Sequence, residues 1–165
     1  MKKKWIVISI VIFVLILIMF CFIPICWKIS HTMTVQLVDN IGDGVAVETE
    51  ILLDGEYSFY LFRPDFFKGS IEMPAFPETV GKSAEIRIQK GTPDTLVYRS
   101  WQGSKLHSEA FGMVQASFGM KQMIICKSDE DGGINLDGDQ TCVILVGDTT
   151  LENARELLED LKHKD

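Results

Sequence analysis

Hydrophobic and polar positions along this 165-residue chain follow three different rhythms in succession. From Trp5 to Trp27 (WIVISIVIFVLILIMFCFIPICW) no charged residue interrupts the text between Lys4 and Lys28, and nearly every side chain is large and apolar. From Met33 onward, apolar and polar residues alternate in short runs cut by Gly, Pro, Asn and Asp, the period of half-buried strands. The C-terminal segment changes to helical spacing. Leu151, Ala154, Leu157, Leu158 and Leu161 form one stripe, with Glu152, Arg155, Glu156, Glu159 and Lys162 opposite.

The first segment reads as a transmembrane helix. At 1.5 Å per residue, its 23 residues reach about 34 Å, enough for a hydrocarbon core of about 30 Å. Trp5 and Trp27 stand at its two ends, where indoles prefer the headgroup level. Pro24 falls in the last turn, where a lost hydrogen bond is cheapest. A cleavable signal peptide has a shorter apolar region and a small-residue cleavage site, and Ile25-Cys26-Trp27 offers nothing small. A lipoprotein signal needs a small residue before its cysteine, yet Cys21 follows Phe20 and Cys26 follows Ile25. A buried core helix would rarely be apolar all round for this length. Lys2, Lys3 and Lys4 crowd one end while Lys28 is alone at the other, with no Lys or Arg again until Arg63. The positive-inside rule then places the N-terminus in the cytoplasm and the rest outside the plasma membrane. The expected organisation is a cytoplasmic start over 1–4, an anchor over 5–27, a linker over 28–32 and an extracytoplasmic domain over 33–165.

That domain predicts about nine strands: 33–38, 45–53, 56–63, 70–73, 84–89, 95–101, 109–117, 120–127 and 141–147. Asp54-Gly55 reads as a two-residue hairpin turn between the second and third. A mainly β fold follows, an antiparallel β-sandwich or open barrel. A C-terminal amphipathic helix over 150–163 closes it, with Thr149 and Glu152 placed as a capping box. Its apolar stripe is expected to cover a face or edge of the sheet, with docking to a partner as the other reading.

Charge narrows the choice of partner. Of 16 basic residues, Lys2, Lys3, Lys4 and Lys28 flank the apolar run, leaving 12 against 23 acidic ones, a formal charge of −11. Duplex contacts need clustered Lys and Arg, so nucleic acid is excluded as a partner. Of four cysteines, two lie in the apolar run, leaving Cys126 and Cys142. They flank one polar loop, either bridged across two strands or as separately buried thiols.

Candidate chemistry is sparse. Tyr57, Phe59, Tyr60, Phe62, Phe66 and Phe67 form an aromatic cluster that is either core or an exposed contact face, and Tyr57, Tyr60 and Phe67 are the candidate partner-binding residues. In the loop after Lys127, Asn135, Asp137 and Asp139 occupy the first three ligand positions of a calcium loop. Gln140 then stands where Gly belongs and Val146 where Glu belongs, which makes calcium a weak candidate and leaves no other cofactor implied. His107 with Ser108 and Glu109 makes no catalytic triad, because sequence neighbours cannot supply that geometry. No phosphate loop, CxxC or HExxH occurs.

The phrase GEYSFYLFRPDFFKG (55–69), behind an N-terminal anchor and followed by further β-strands, resembles small membrane-anchored extracytoplasmic proteins of Gram-positive bacteria. That resemblance covers about 15 residues and implies a kind of host cell with no active site attached. The expectation is a non-enzymatic binding module whose partners are the membrane and another envelope or membrane protein. Two alternatives stand beside it: a carboxylate-dependent, glycan-active envelope enzyme, and a regulatory subunit acting through its transmembrane helix.

Overall fold

The structure, a computed structural model, describes residues 2–39, 41–42, 45–128 and 141–162, with the side chains of residues 2, 3, 7 and 16–22 left out. A helix, α1 (Lys2–Phe22), precedes eight strands: β1 (Ile25–Val38), β2 (Val47–Phe59), β3 (Asp65–Glu72), β4 (Ser83–Ile88), β5 (Asp94–Gln102), β6 (Lys105–Ala116), β7 (Met123–Lys127) and β8 (Val143–Val146). A second helix, α2 (Leu151–Lys162), ends the described chain. Each strand pairs antiparallel with the next, and β8 returns to β1, closing the sheet into a barrel. The expected β class and C-terminal helix are present, and the open alternatives give way to closure. Closure requires stagger. β1 pairs with β2 from Ile25 onward but with β8 only over Val35–Val38.

Alternation decides which side chains fill the barrel. In β4, Ala84, Ile86 and Ile88 point in and are buried, while Glu85 and Arg87 point out. Outside, Glu85 links three strands, with Lys68 of β3 at 3.3 Å and Arg99 of β5 in a close ion pair. The interior is packed with large side chains, among them Tyr57, Tyr98, Phe67, Ile51, Leu53, Ile71 and Met123, all under 2% exposed or at that level. Eight strands leave room for side chains or for one small ligand. Here side chains take it.

β7 and β8 are apolar on both faces because a second layer lies outside them. Ile124, Cys126, Val143 and Leu145 meet Ala154, Leu157, Leu158 and Leu161 of α2, joined by Val38 and Ile41. The predicted apolar stripe is therefore the face that docks on the barrel. Its cap is one residue later than expected. Asn153 N–H donates to Thr150 Oγ1 (3.3 Å) and Thr150 N–H to Asn153 Oδ1 (3.0 Å), a reciprocal box. Thr149 Oγ1 donates instead to the Val146 carbonyl (3.2 Å).

Three sequence readings are corrected. Nine strands become eight because Asp54-Gly55 lies inside β2, where Gly55 pairs with Ile29 on one side and Gly69 on the other. A Cβ on Gly55 would sit 2.5 Å from the Lys68 carbonyl oxygen, and one on Gly69 would meet the Asp54 carbonyl. The two glycines let the backbones of β2 and β3 approach closely where they pair, a role a hairpin turn does not have. Second, α1 ends at Phe22, and Trp27, read as the anchor's last residue, stacks on Tyr57 inside the barrel with ring centroids 4.7 Å apart. The linker read over 28–32 is part of β1, held by β2 across the whole of that stretch. Third, the strand read over 109–117 begins four residues earlier, at Lys105, which puts His107 within β6 opposite Ser100. Among the described residues, no helix is long and apolar enough to cross a membrane.

Candidate functional site

An up-and-down meander sends alternate loops to opposite ends of the barrel. The end where the chain arrives from α1 carries residues 60–64, 89–93, 117–122 and 147–150. The opposite end carries the β1–β2, β3–β4 and β5–β6 connections. Exposed large apolar side chains gather at these two ends. At the α1 end they are Ile23, Ile25, Leu61, Phe62 and Phe118; at the other they include Val45, Val47, Trp101 and Leu106.

The α1 end is built on a buried polar pair. Asp65 opens β3, and its carboxylate accepts from the Tyr57 hydroxyl (2.6 Å) and from Tyr60 N–H (2.9 Å). Burial first, and then the Asp65 hydrogen bond, push the Tyr57 phenol well above its usual value. Around Tyr57 lie Trp27, stacked, and Phe118, edge-on at 5.7 Å; Phe118 also meets Phe59 edge-on at 5.6 Å. Phe118 is held by a tight turn in which Gly119 (φ +70°) and Met120 (φ +59°) are both left-handed. That conformation costs a methionine roughly 1–2 kcal/mol. It is offset by complete burial of the Met120 side chain, which plugs this end.

Two open clefts flank the plug. One, of about 560 Å³, lies between Asn153, Glu156 and Asp160 of α2 and the Lys90-Gly91 turn. The other, of about 370 Å³, lies under residues 60–64. Asp65, Ile88 and Lys90 line both. The first cleft brings together the carboxylates of Asp65, Asp148, Glu156 and Asp160, with the Ser117 and Thr149 hydroxyls and Lys90 beside them.

At the opposite end, β5 and β6 continue as a two-stranded ribbon. β4 pairs with β5 only over Val97–Arg99, and β7 pairs with β6 only from Gly112 onward. Residues 101–110 are all exposed, and Trp101 (72% exposed) stands directly across from Leu106 (50%). Gly103 (φ +63°) opens the two-residue turn at the tip, where hairpin geometry calls for a positive φ. Nothing inside the barrel explains a tryptophan on such a projection.

The residues singled out from sequence are divided by this geometry. Tyr57 and Phe67 face each other across β2 and β3 and are wholly buried, so as partner-binding residues they are corrected to core. Tyr60 is half-buried beside Asp65. Two-sided apolarity of the 57–67 stretch had two sources: interior facing in the strands, and the exposed turn at Leu61-Phe62. Cys126 and Cys142 are both free, Cys126 buried against α2 and Cys142 half-buried. Burial, with the neighbouring thiol adding to it, pushes Cys126 up to about 12. Burial and Asp39 push Cys142 up to about 11. Asn135, Asp137 and Asp139 lie outside the described residues, and among the described residues no group of three or more His, Cys, Asp and Glu could hold a metal ion. Asp65, Trp101 and Phe118 were missed. The signal that could have found them was available only for Trp101, as an aromatic next to a Gly-Ser turn.

The class these features define is a closed eight-stranded antiparallel barrel with a filled interior and an external C-terminal helix. No protein-family model, curated protein or solved structure matches the chain.

Proposed function

We propose that this chain is a non-enzymatic interaction module, anchored in the plasma membrane by α1 with its N-terminus in the cytoplasm, that engages another envelope protein through the β5–β6 hairpin. The anchoring part is supported by the charge-free run between Lys4 and Lys28 and by the lysine asymmetry around it. The described α1 side chains agree: Trp5, Ile6, Ile8, Ile10 and Phe13 are between 48% and 68% exposed, uncovered by the barrel. A helix apolar all round belongs in lipid or in a large core. The resemblance of residues 55–69 to anchored Gram-positive proteins points the same way.

The observation that carries the interaction reading is the exposed Trp101–Leu106 pair at the end opposite the anchor. Tryptophan is the residue most enriched where binding energy concentrates, and a projecting ribbon presents it without steric competition from the barrel. A photo-crosslinking amino acid at position 101 or 106 of the full chain, activated in living cells, should give one discrete protein adduct. Leu106→Glu should abolish the adduct formed from position 101 while the protein stays in the membrane fraction. If neither position yields an adduct in folded, membrane-held protein, the hairpin is not the binding element and the reading fails.

A further inference from the structure

We infer that the α1 end of the barrel rests in the headgroup layer of the bilayer, with Leu61, Phe62 and Phe118 among the lipids and Arg63, Lys90 and Lys121 against anionic phospholipid headgroups. The inference rests on the anchoring reading above and specifies which surface of the barrel that anchor holds against lipid.

Connectivity comes first. Only Ile23 and Pro24 separate Phe22 of α1 from Ile25 of β1. Three Cα steps reach about 11 Å at most, so the rim cannot stand away from a surface in which α1 ends. Composition comes second. Phe62 is 72% exposed, Phe118 58% and Leu61 55%; they stand on the β2–β3 and β6–β7 connections of one rim, with Phe118 reaching Phe59 at 5.6 Å, and Ile23 and Ile25 are at the same end. Phe118 is fixed rather than floppy, since its ring makes T-shaped contacts with Tyr57 and Phe59 and still stays more than half exposed.

Charge decides between lipid and other occupants. The four rim loops (60–64, 89–93, 117–122 and 147–150) contain Arg63, Lys90 and Lys121 and a single acid, Asp148. This basic excess sits on a segment whose formal charge is otherwise strongly negative. Of the acids next to the rim, Asp65 is buried on Tyr57 and Asp94 accepts from Arg87 N–H (2.8 Å), while Glu156 and Asp160 line the α2-side cleft across from Lys90. The other cleft, lined by Leu61, Phe62, Arg63 and Lys90, has Asp65 as its one acid. The opposite end exposes apolar side chains too, but there acids and bases are mixed: Glu48, Glu50, Lys105 beside Leu106, and Glu109 paired with Lys82 at 2.6 Å. Apolar tips with basic neighbours are the composition of an interfacial surface, and anionic leaflets attract Lys and Arg over a short range.

The test uses the full chain reconstituted into vesicles of phosphatidylcholine and phosphatidylglycerol. A photo-crosslinking phenylalanine analogue is placed in turn at positions 12, 62, 118 and 101. Lipid adducts are expected at 12, 62 and 118 and none at 101. In Lys90→Gln/Lys121→Gln protein, the share of phosphatidylglycerol among the adducts from position 62 should fall severalfold, with unchanged circular dichroism. Lipid adducts at 12 with no more labelling at 62 and 118 than at 101 would overturn the proposal and leave the anchor intact. Adducts from 62 or 118 to a second copy of the chain in place of lipid would also overturn it. An absence of lipid adducts at 12 would remove the anchoring reading, and this inference with it.

Discussion

Cys126 occupies the seam between β7 and α2, where a thiol is surrounded by Ile124, Val143 and Leu145 and the leucines of the helix. A thiolate there would be desolvated on all sides, which is why its pKa climbs to about 12. The consequence for stability has a definite sign. An unfolded cysteine titrates near 8.5, so above that pH the unfolded chain gives up a proton that the folded one keeps. The stability this group contributes is therefore complete below about pH 8.5 and is lost as pH rises toward 12, at up to about 1.4 kcal/mol per pH unit. Cys142, half-buried, contributes the same sign more weakly, and the raised Tyr57 and Tyr98 phenols add to it only at higher pH. Denaturant midpoints measured from pH 8 to 10.5 should fall, and Cys126→Ala should flatten part of that fall. A slope unchanged by Cys126→Ala would place the alkaline sensitivity elsewhere.

At the scale of elements, the strand pair β2–β3 shows what local text conceals. Asp54-Gly55 is a strong turn signal in isolation, yet thirteen register pairs with β1 carry β2 straight through it. A dipeptide preference yields when long-range pairing on both sides buries Leu53 and Tyr57. Gly69, just outside the strand read over 70–73, is the other half of the same close approach. Its substitution is thus informative. Gly69→Ala would drive a Cβ into the Asp54 carbonyl, backbone against backbone, where no side chain can swing aside. Overpacking of that kind costs about 3 kcal/mol, and a matching loss should appear in the denaturant midpoint. An effect under about 0.5 kcal/mol, the range of neutral surface changes, would mean the strands do not approach as described. α2 and β4 through β6 were legible because each carries one period: the leucine stripe in α2, and the Ala84–Ile86–Ile88 alternation in β4. β1 was legible only from Met33, since Ile25, Cys26 and Trp27 share the apolar text of α1 and the mostly polar stretch 28–32 reads as a linker. The rim was not legible at all, because Phe62 and Phe67 look alike in sequence and only closure of the barrel sends one to solvent and the other to the core.

Taken as a whole molecule, a filled barrel carries an apolar rim at one end and a projecting hairpin at the other, and the proposed function divides the work between these two ends. That division depends on the interior being a packed core and not a cup for a ligand. Two phenylalanines five residues apart test it. Phe67 has no exposed surface and sits against Tyr57 and Ile86, whereas Phe62 is 72% exposed on the rim. In a packed interior, Phe67→Ala leaves a void that rigid strands cannot collapse around, and the cost is about 3–5 kcal/mol. Phe62→Ala removes no buried contact and should change stability by less than about 0.5 kcal/mol. Urea unfolding of the two variants and the parent chain, followed through Trp27 and its stacked Tyr57, reads both numbers in one experiment. Were the barrel hollow, solvent or a ligand would already bathe Phe67 and its loss would cost little more than that of Phe62. A small-ligand carrier would then replace the interaction module as the better reading of the fold. A large gap between the two costs makes the interior a packed core and leaves the proposed hairpin and rim surfaces to their own tests.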